Sequence, residues 1–284
     1  MRNHYVPQFL QRPWTSPHDQ ALQVFHIDNG SVHSTRRVPK STGYADDMLT
    51  LTCDKVVGME RYDVETIILQ EVDQKAALVR SKLHNRQLLT LTYEERCAWV
   101  CFIMSLRLRA PDTVSQLITE SKVELRRSLA ENPVEYEDLA GLSDPPSLEA
   151  WTESNFPGLI ENFGLSFFHA LLGDESVGTQ LLRLQWWLFD TASAGKDLFL
   201  GDRPCLFMGG IENPNLAVAL PIAPDRLFLA TRGQVLAQSL PQVPIKSLVA
   251  RVNEATVRQA SKYVYARNAA SRRYVENRRS RCGD

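Results

Sequence analysis

Four residues into the chain a titratable side chain stands beside an aromatic, a proline, an amide and large apolar anchors: His4-Tyr5-Val6-Pro7-Gln8-Phe9-Leu10. A histidine exchanges protons near neutrality and suits general acid or base work. Frayed termini are ordinarily polar. Here Pro7 biases Val6 toward extended backbone, so the stretch predicts a buried, extended segment that holds His4 at the edge of a core. Other residues with chemical potential are weaker signals. Cys97 and Cys101 share a predicted helix face but sit among Trp99, Val100, Phe102 and Ile103, which reads as core packing. A zinc site needs two further ligands at interpretable spacing, and none follows. His26 and His33 flank an Asn29-Gly30 turn and can face each other across a hairpin, with a surface role favoured. Arg107 and Arg109 close a helix, where cations complement the last carbonyls. Gly209-Gly210 lacks the Lys-Ser/Thr of a phosphate loop, and neither Gly-x-Ser-x-Gly nor His-Glu-x-x-His occurs. Trp186-Trp187 can stack bases, although core packing in an apolar strand is the simpler meaning.

The elements that must position these residues fall into blocks. Residues 1–58 predict a hairpin, Ala21–Ile27 and Val32–Val38, followed by a loop. Residues 59–182 carry helical spacing: one helix from an Asp63 cap, a second capped at Thr92 and apolar nearly all round, and a third from Pro111 to about Ala130. Leu159–Leu172 predicts a further helix. Residues 183–266 predict roughly five short strands with tight, Pro-rich connections, then a helix from Ser247 to Tyr265. A basic tail occupies 267–284. This pattern predicts one α+β domain over 1–284: a mainly antiparallel sheet formed by the N-terminal hairpin and C-terminal strands, with a central helical insertion. The opening stretch would be the first edge of the sheet built from residues 184–231.

With 284 residues, 44% hydrophobic and 23% charged, the composition is that of a globular chain able to bury a large core. A net charge of −1 excludes a uniformly basic nucleic-acid binder but not a local patch. No apolar run approaches the ~20 residues of a membrane span, and no secretory signal is evident at the N-terminus. Five scattered cysteines predict a reduced, cytoplasmic protein rather than a disulfide framework. Between Glu131 and Glu161 stand eight acidic residues and no Lys or Arg. Such a run is most often a solvated connection, though it can mimic nucleic-acid charge or dock on a basic surface.

The His4–Leu10 stretch resembles the N-terminal signature of a mainly bacterial domain-of-unknown-function family, number forty-two thirty-eight. Further likenesses are Arg107-Leu108-Arg109-Ala110-Pro111, Gly201-Asp202-Arg203-Pro204, Pro221-Ile222-Ala223-Pro224 and Asn253. Gly201 stands where the family usually has serine. The resemblance implies an architecture and recurring polar positions, without an assigned activity. On those positions His4 is the candidate acid or base. Asp202 would orient that imidazole or hold a divalent metal, Arg109 would clamp an anion, and Asn253 would fix substrate or water. Gln8, Tyr5 and Arg107 are the candidate substrate-binding residues.

Two functions follow as expectations. One is a hydrolase, nuclease-like, acting on a phosphodiester or other phosphate-containing substrate with His4, Arg109, Asp202 and Asn253 around one cleft. The other is a non-enzymatic module that binds nucleic acid or protein through the Arg-rich C-terminal helix. Expected partners are nucleic acid or a phosphate-containing ligand and a second copy of the chain, with no membrane. A plainer reading lets the basic tail neutralise the acidic run.

Overall fold

Strand-forming alternation recurs at both ends of the chain and helical spacing fills its middle. The computed structural model follows that division, with 53% helix, 19% strand and antiparallel sheets, so the fold is α+β. It describes residues 1–28, 31–56, 58–131, 133–141 and 143–279, without the side chains of 133–135 and 235. The Asn29-Gly30 turn, Arg281 and Cys282 lie outside the described residues. In chain order the strands are β1 (Arg2–His4), β2 (Leu22–Asp28), β3 (Ser31–Arg37), β4 (Tyr44–Asp46), β5 (Lys55–Val56), β6 (Met59–Glu60), β7 (Gln185–Asp190), β8 (Leu200–Gly201), β9 (Leu206–Met208), β10 (Ala217–Ala223), β11 (Arg226–Thr231) and β12 (Tyr263–Ala266). The α-helices are α1 (Gln8–Gln11), α2 (Gln70–His84), α3 (Tyr93–Leu108), α4 (Pro111–Glu131), α5 (Pro133–Leu139), α6 (Leu148–Asn155), α7 (Leu159–Ser166), α8 (Phe168–Leu172), α9 (Glu175–Leu182), α10 (Gln234–Ser239), α11 (Ile245–Gln259) and α12 (Arg272–Arg279).

These elements gather into two compact units. The first comprises residues 1–3, 45–71 and 108–174, and the second comprises 4–44, 72–107 and 175–284. The first is helical. Its α4 and α7 pack closely because Gly164 sits at their crossing. A Cβ there would come within 2.5 Å of Ser121 Oγ and 2.9 Å of the Leu117 carbonyl oxygen. Buried Asn162 ties α7 to the segment between β4 and β5: its Oδ1 accepts from Thr52 N (2.9 Å) and its Nδ2 donates to Thr52 Oγ1 (2.8 Å). The predicted Leu159–Leu172 helix is broken into α7 and α8.

The second unit holds two four-stranded antiparallel sheets, ordered β7-β11-β10-β9 and β3-β2-β12-β8. Every residue of β10 and β11 is buried, which requires cover on both faces. On one face the Phe228 ring meets Trp99 of α3 at 5.6 Å and Trp186 at 5.2 Å. On the other, Ala219, Leu227 and Leu229 pack with Leu248, Val249 and Val252 of α11. The period-2 alternation along β11 therefore sends Leu227 and Leu229 to one helix layer and Phe228 to the other.

The hairpin β2–β3 forms as expected, with Asp28 opposite Ser31 and His26 opposite His33. It pairs with β12 and, beyond it, β8, so the N-terminal strands meet C-terminal ones in a sheet of their own. β12 is an element that helical periodicity concealed. The backbone leaves α11 at Ala260, with ψ 131°, and the alternating Tyr263-Val264-Tyr265-Ala266 then runs as a strand rather than as helix. The opening stretch also departs from expectation. β1 stops at His4 and pairs with β4 alone, not with the 184–231 strands. Pro7, with φ −56° and ψ 141°, then starts the one-turn α1, whose amides at Leu10 and Gln11 bond to the Pro7 carbonyl. Part of the basic tail is packed as well: residues 272–279 form α12, anchored by Val275 in a core with Phe25, Val32, Val257 and Val264.

Candidate functional site

Each residue singled out in the sequence has a definite place. His4 is half-buried at the end of β1, its ring 5.7 Å from that of Tyr44. Gln8 opens α1. Tyr5 is buried, and its phenol's pKa is pushed up first by burial and then by the Asp202 charge. Buried Tyr265 feels the same pair and bonds to Thr42 Oγ1 at 3.3 Å. Gly43 closes this polar cluster: at φ +66° a Cβ would lie 2.9 Å from Gln11 Nε2 and 3.2 Å from Tyr265 Oη. Arg107 is exposed, with its guanidinium 5.3 Å from the Phe207 ring centroid. Arg109 is buried and belongs to the first unit. Tyr5 thus feels the charge of Asp202, while Asn253 sits elsewhere in the second unit.

Asp202 and Asn253 are both committed to backbone. The Asp202 carboxylate follows β8, where Oδ1 accepts from Ser261 N (2.8 Å) and Oδ2 from Lys262 N (2.5 Å) and Tyr263 N (2.9 Å). It fixes the turn that launches β12. Burial pushes its pKa up, and the three amide donors oppose that rise. Asn253, buried on α11, accepts from Phe199 N and donates to the Asp197 carbonyl, both at 2.8 Å. These two side chains pin opposite ends of segment 197–202 to the region 253–263. Sequence reasoning missed Gln11, fully buried, whose Nε2 donates to the Val6 carbonyl at 2.7 Å. Its amide is the one that holds the opening stretch, and only its position after Leu10 hinted at burial.

A different surface of the second unit gathers charge. α12 lies along α11 by a stripe of residues one turn apart. Tyr274 Oη donates to the Ala250 carbonyl, Arg278 stands 3.9 Å from Glu254, and Arg279 donates to the Arg258 carbonyl. Residues 245–279 carry nine Lys and Arg against two Glu. Glu254 pairs with Arg258 (2.8 Å) and Glu276 with Arg272 (2.7 Å). Lys246, Arg251, Lys262 and Arg273 are exposed and make no ion pair among the described residues.

Beside this layer lies a cleft of about 390 Å³, walled by Thr191, Lys196, Asp197, Asp225, Asn253 and Tyr274 among others. Cys97 and Cys101 are half-buried and not disulfide-bonded, and the described residues contain no group of three or more metal-ligating side chains. His26 and His33 face each other with ring centroids 6.5 Å apart, and His33 is exposed. No helix among the described residues is long and apolar enough to cross a membrane.

Searches of curated proteins and of solved structures returned no match. One family model does match, described as protein of unknown function (DUF4238), across residues 2–270. The matched span holds β1 through β12, and α12 lies beyond it. A match over nearly the whole chain places this protein in the DUF4238 family.

Proposed function

We propose that this protein is a non-enzymatic nucleic-acid-binding module whose contact surface is the α11–α12 layer. The observation that carries the reading is the surplus of cations there, nine against two acids in residues 245–279 of a chain whose net charge is −1. Arginine pairs bidentately with phosphate and carboxylate alike, and its stacking on base faces is what favours nucleic acid over an acidic protein. Packing holds seven of these nine cations on two adjacent helices, so they form a surface rather than a loose tail. The test is binding of a short single-stranded RNA followed by fluorescence anisotropy across a salt series. Affinity should fall steeply with salt because each phosphate contact releases counterions. Salt-insensitive binding, or none, overturns the reading.

A nuclease-like hydrolase built on His4, Arg109, Asp202 and Asn253 draws less support. Both Asp202 oxygens and both Asn253 polar groups are engaged by backbone, and both side chains are buried, which supports a structural role for them over a catalytic one.

A further inference from the structure

The fold consumes Asn253, but it leaves other polar groups of the cleft unused. Asp225, half-buried in the β10–β11 turn, makes no side-chain hydrogen bond or ion pair among the described residues. Asp197 has only Arg267 at 3.8 Å. Thr191 is 1% exposed, and its hydroxyl has no hydrogen-bond partner among the described residues. An unpartnered buried hydroxyl is costly unless something polar meets it. Lys196 is exposed, and its ammonium lies 6.0 Å from the Tyr274 ring. The cleft volume falls in the usual range for small-ligand sites, about 300–1,000 Å³.

This set selects its ligand. Ionised carboxylates only accept hydrogen bonds, so Asp197 and Asp225 call for hydroxyl donors and repel a bare phosphate. Lys196 supplies the anion contact at the rim, and Tyr274 and Phe199 supply an apolar wall. Tyr274 and Ser271 open the α12 region and also line the cleft, so a strand lying on the basic layer reaches the cleft with its end. We infer that the cleft binds a ribose 2′,3′-diol carrying a phosphate, as found in a free ribonucleotide or at the 3′ end of RNA, with the hydroxyls donated to Asp197 and Asp225. The 2′-hydroxyl is the group that separates RNA from DNA. The strand-end form of this inference rests on the nucleic-acid reading above.

The experiment compares three short RNAs of one sequence by anisotropy, ending in a free 3′ diol, a 3′-phosphate or a 2′,3′-dideoxy terminus. Adenosine 5′-monophosphate and inorganic phosphate serve as competitors. The free diol should bind about tenfold more tightly than either blocked end, as expected for hydroxyls bonded to a charged acceptor. Asp225→Asn and Asp197→Asn should erase the preference for the diol over the dideoxy end while leaving affinity for the dideoxy-ended RNA and the melting temperature unchanged. Competition by adenosine 5′-monophosphate, with none by inorganic phosphate, adds support. Equal affinity for all three ends, or a preference that survives both substitutions, overturns the inference while the basic surface stands. If no RNA binds, the surface reading fails, and direct titration decides the cleft. Binding of adenosine 5′-monophosphate but not its 2′,3′-dideoxy analogue then supports it, and no such selectivity overturns it.

Discussion

The acidic run of residues 131–161 and the basic run of residues 245–279 are charged blocks of similar length, yet the fold treats them differently. In the first unit, Glu161 pairs with Lys122 at 3.0 Å, and Glu149 with Arg126 at 2.9 Å. Glu153 and Glu161 also stand 3.8 Å from Arg126. The acids on α6 and α7 thus answer cations that α4 presents to them. The basic run meets only Glu254 and Glu276 within itself, and several of its cations remain unpaired among the described residues. Packing supplies counter-charges to the acids of α6 and α7 and leaves Lys246, Arg251, Lys262 and Arg273 without them among the described residues. The plainer expectation, that the tail neutralises the acidic run, is unnecessary for these acids, which have partners in their own unit.

The largest effects come from breaking the scaffold under each block. Asp202→Ala removes the acceptor for three amides of the turn before β12. It should destabilise the chain by about 3 kcal/mol or more in urea unfolding, with Asp202→Asn less severe. An unchanged unfolding midpoint would show that those bonds contribute nothing. Gly164→Ala forces α7 away from α4, and with it Glu161 from Lys122. Overpacking of this kind costs about 1–3 kcal/mol, and RNA binding should survive it. Failure of a folded Gly164→Ala variant to bind would contradict the assignment of the binding surface to the α11–α12 layer.

These two positions also show what the sequence can and cannot convey. β7, β10 and β11 were legible because Trp186–Phe189, Leu216–Ile222 and Arg226–Thr231 are apolar runs between turn residues. The hairpin was legible from its alternation about Asn29-Gly30. β12 was hidden because its residues continue the apolar spacing of α11, and what ends the helix is a carboxylate some sixty positions earlier. The division of the helical region, with α2 in one unit and α4 in the other, follows from long-range packing that periodicity does not encode. At the candidate site, residue type marked Asp202 and Asn253 as chemically able. Type says nothing of whether backbone amides have already claimed those atoms, and here they have.

Reversing the unpaired cations tests the charge itself. Arg251→Glu with Arg273→Glu should weaken binding of single-stranded RNA by about tenfold or more and reduce the logarithmic salt slope by roughly 0.7 for each phosphate no longer neutralised. Thermal stability should hold within about 0.5 kcal/mol, since both side chains are exposed. Affinity that is unchanged would leave the surplus charge without this role.

The smallest effect separates the two blocks by pH. Glu161 titrates below its ordinary value of 4.5, chiefly because Lys122 hydrogen-bonds its carboxylate, with burial opposing. A folded pKa lowered in this way stabilises the chain above the ordinary value, and that contribution disappears as pH falls through the folded one. Partly exposed pairs of this kind contribute at most about 1 kcal/mol. Acid should therefore reduce stability slightly below about pH 4.5, and Glu161→Gln should remove that component. RNA affinity in the Glu161→Gln variant should follow the native profile wherever both proteins remain folded. A shifted binding profile in that variant would mean the acidic block also takes part in RNA binding, and the contrast between neutralised and available charge would not hold.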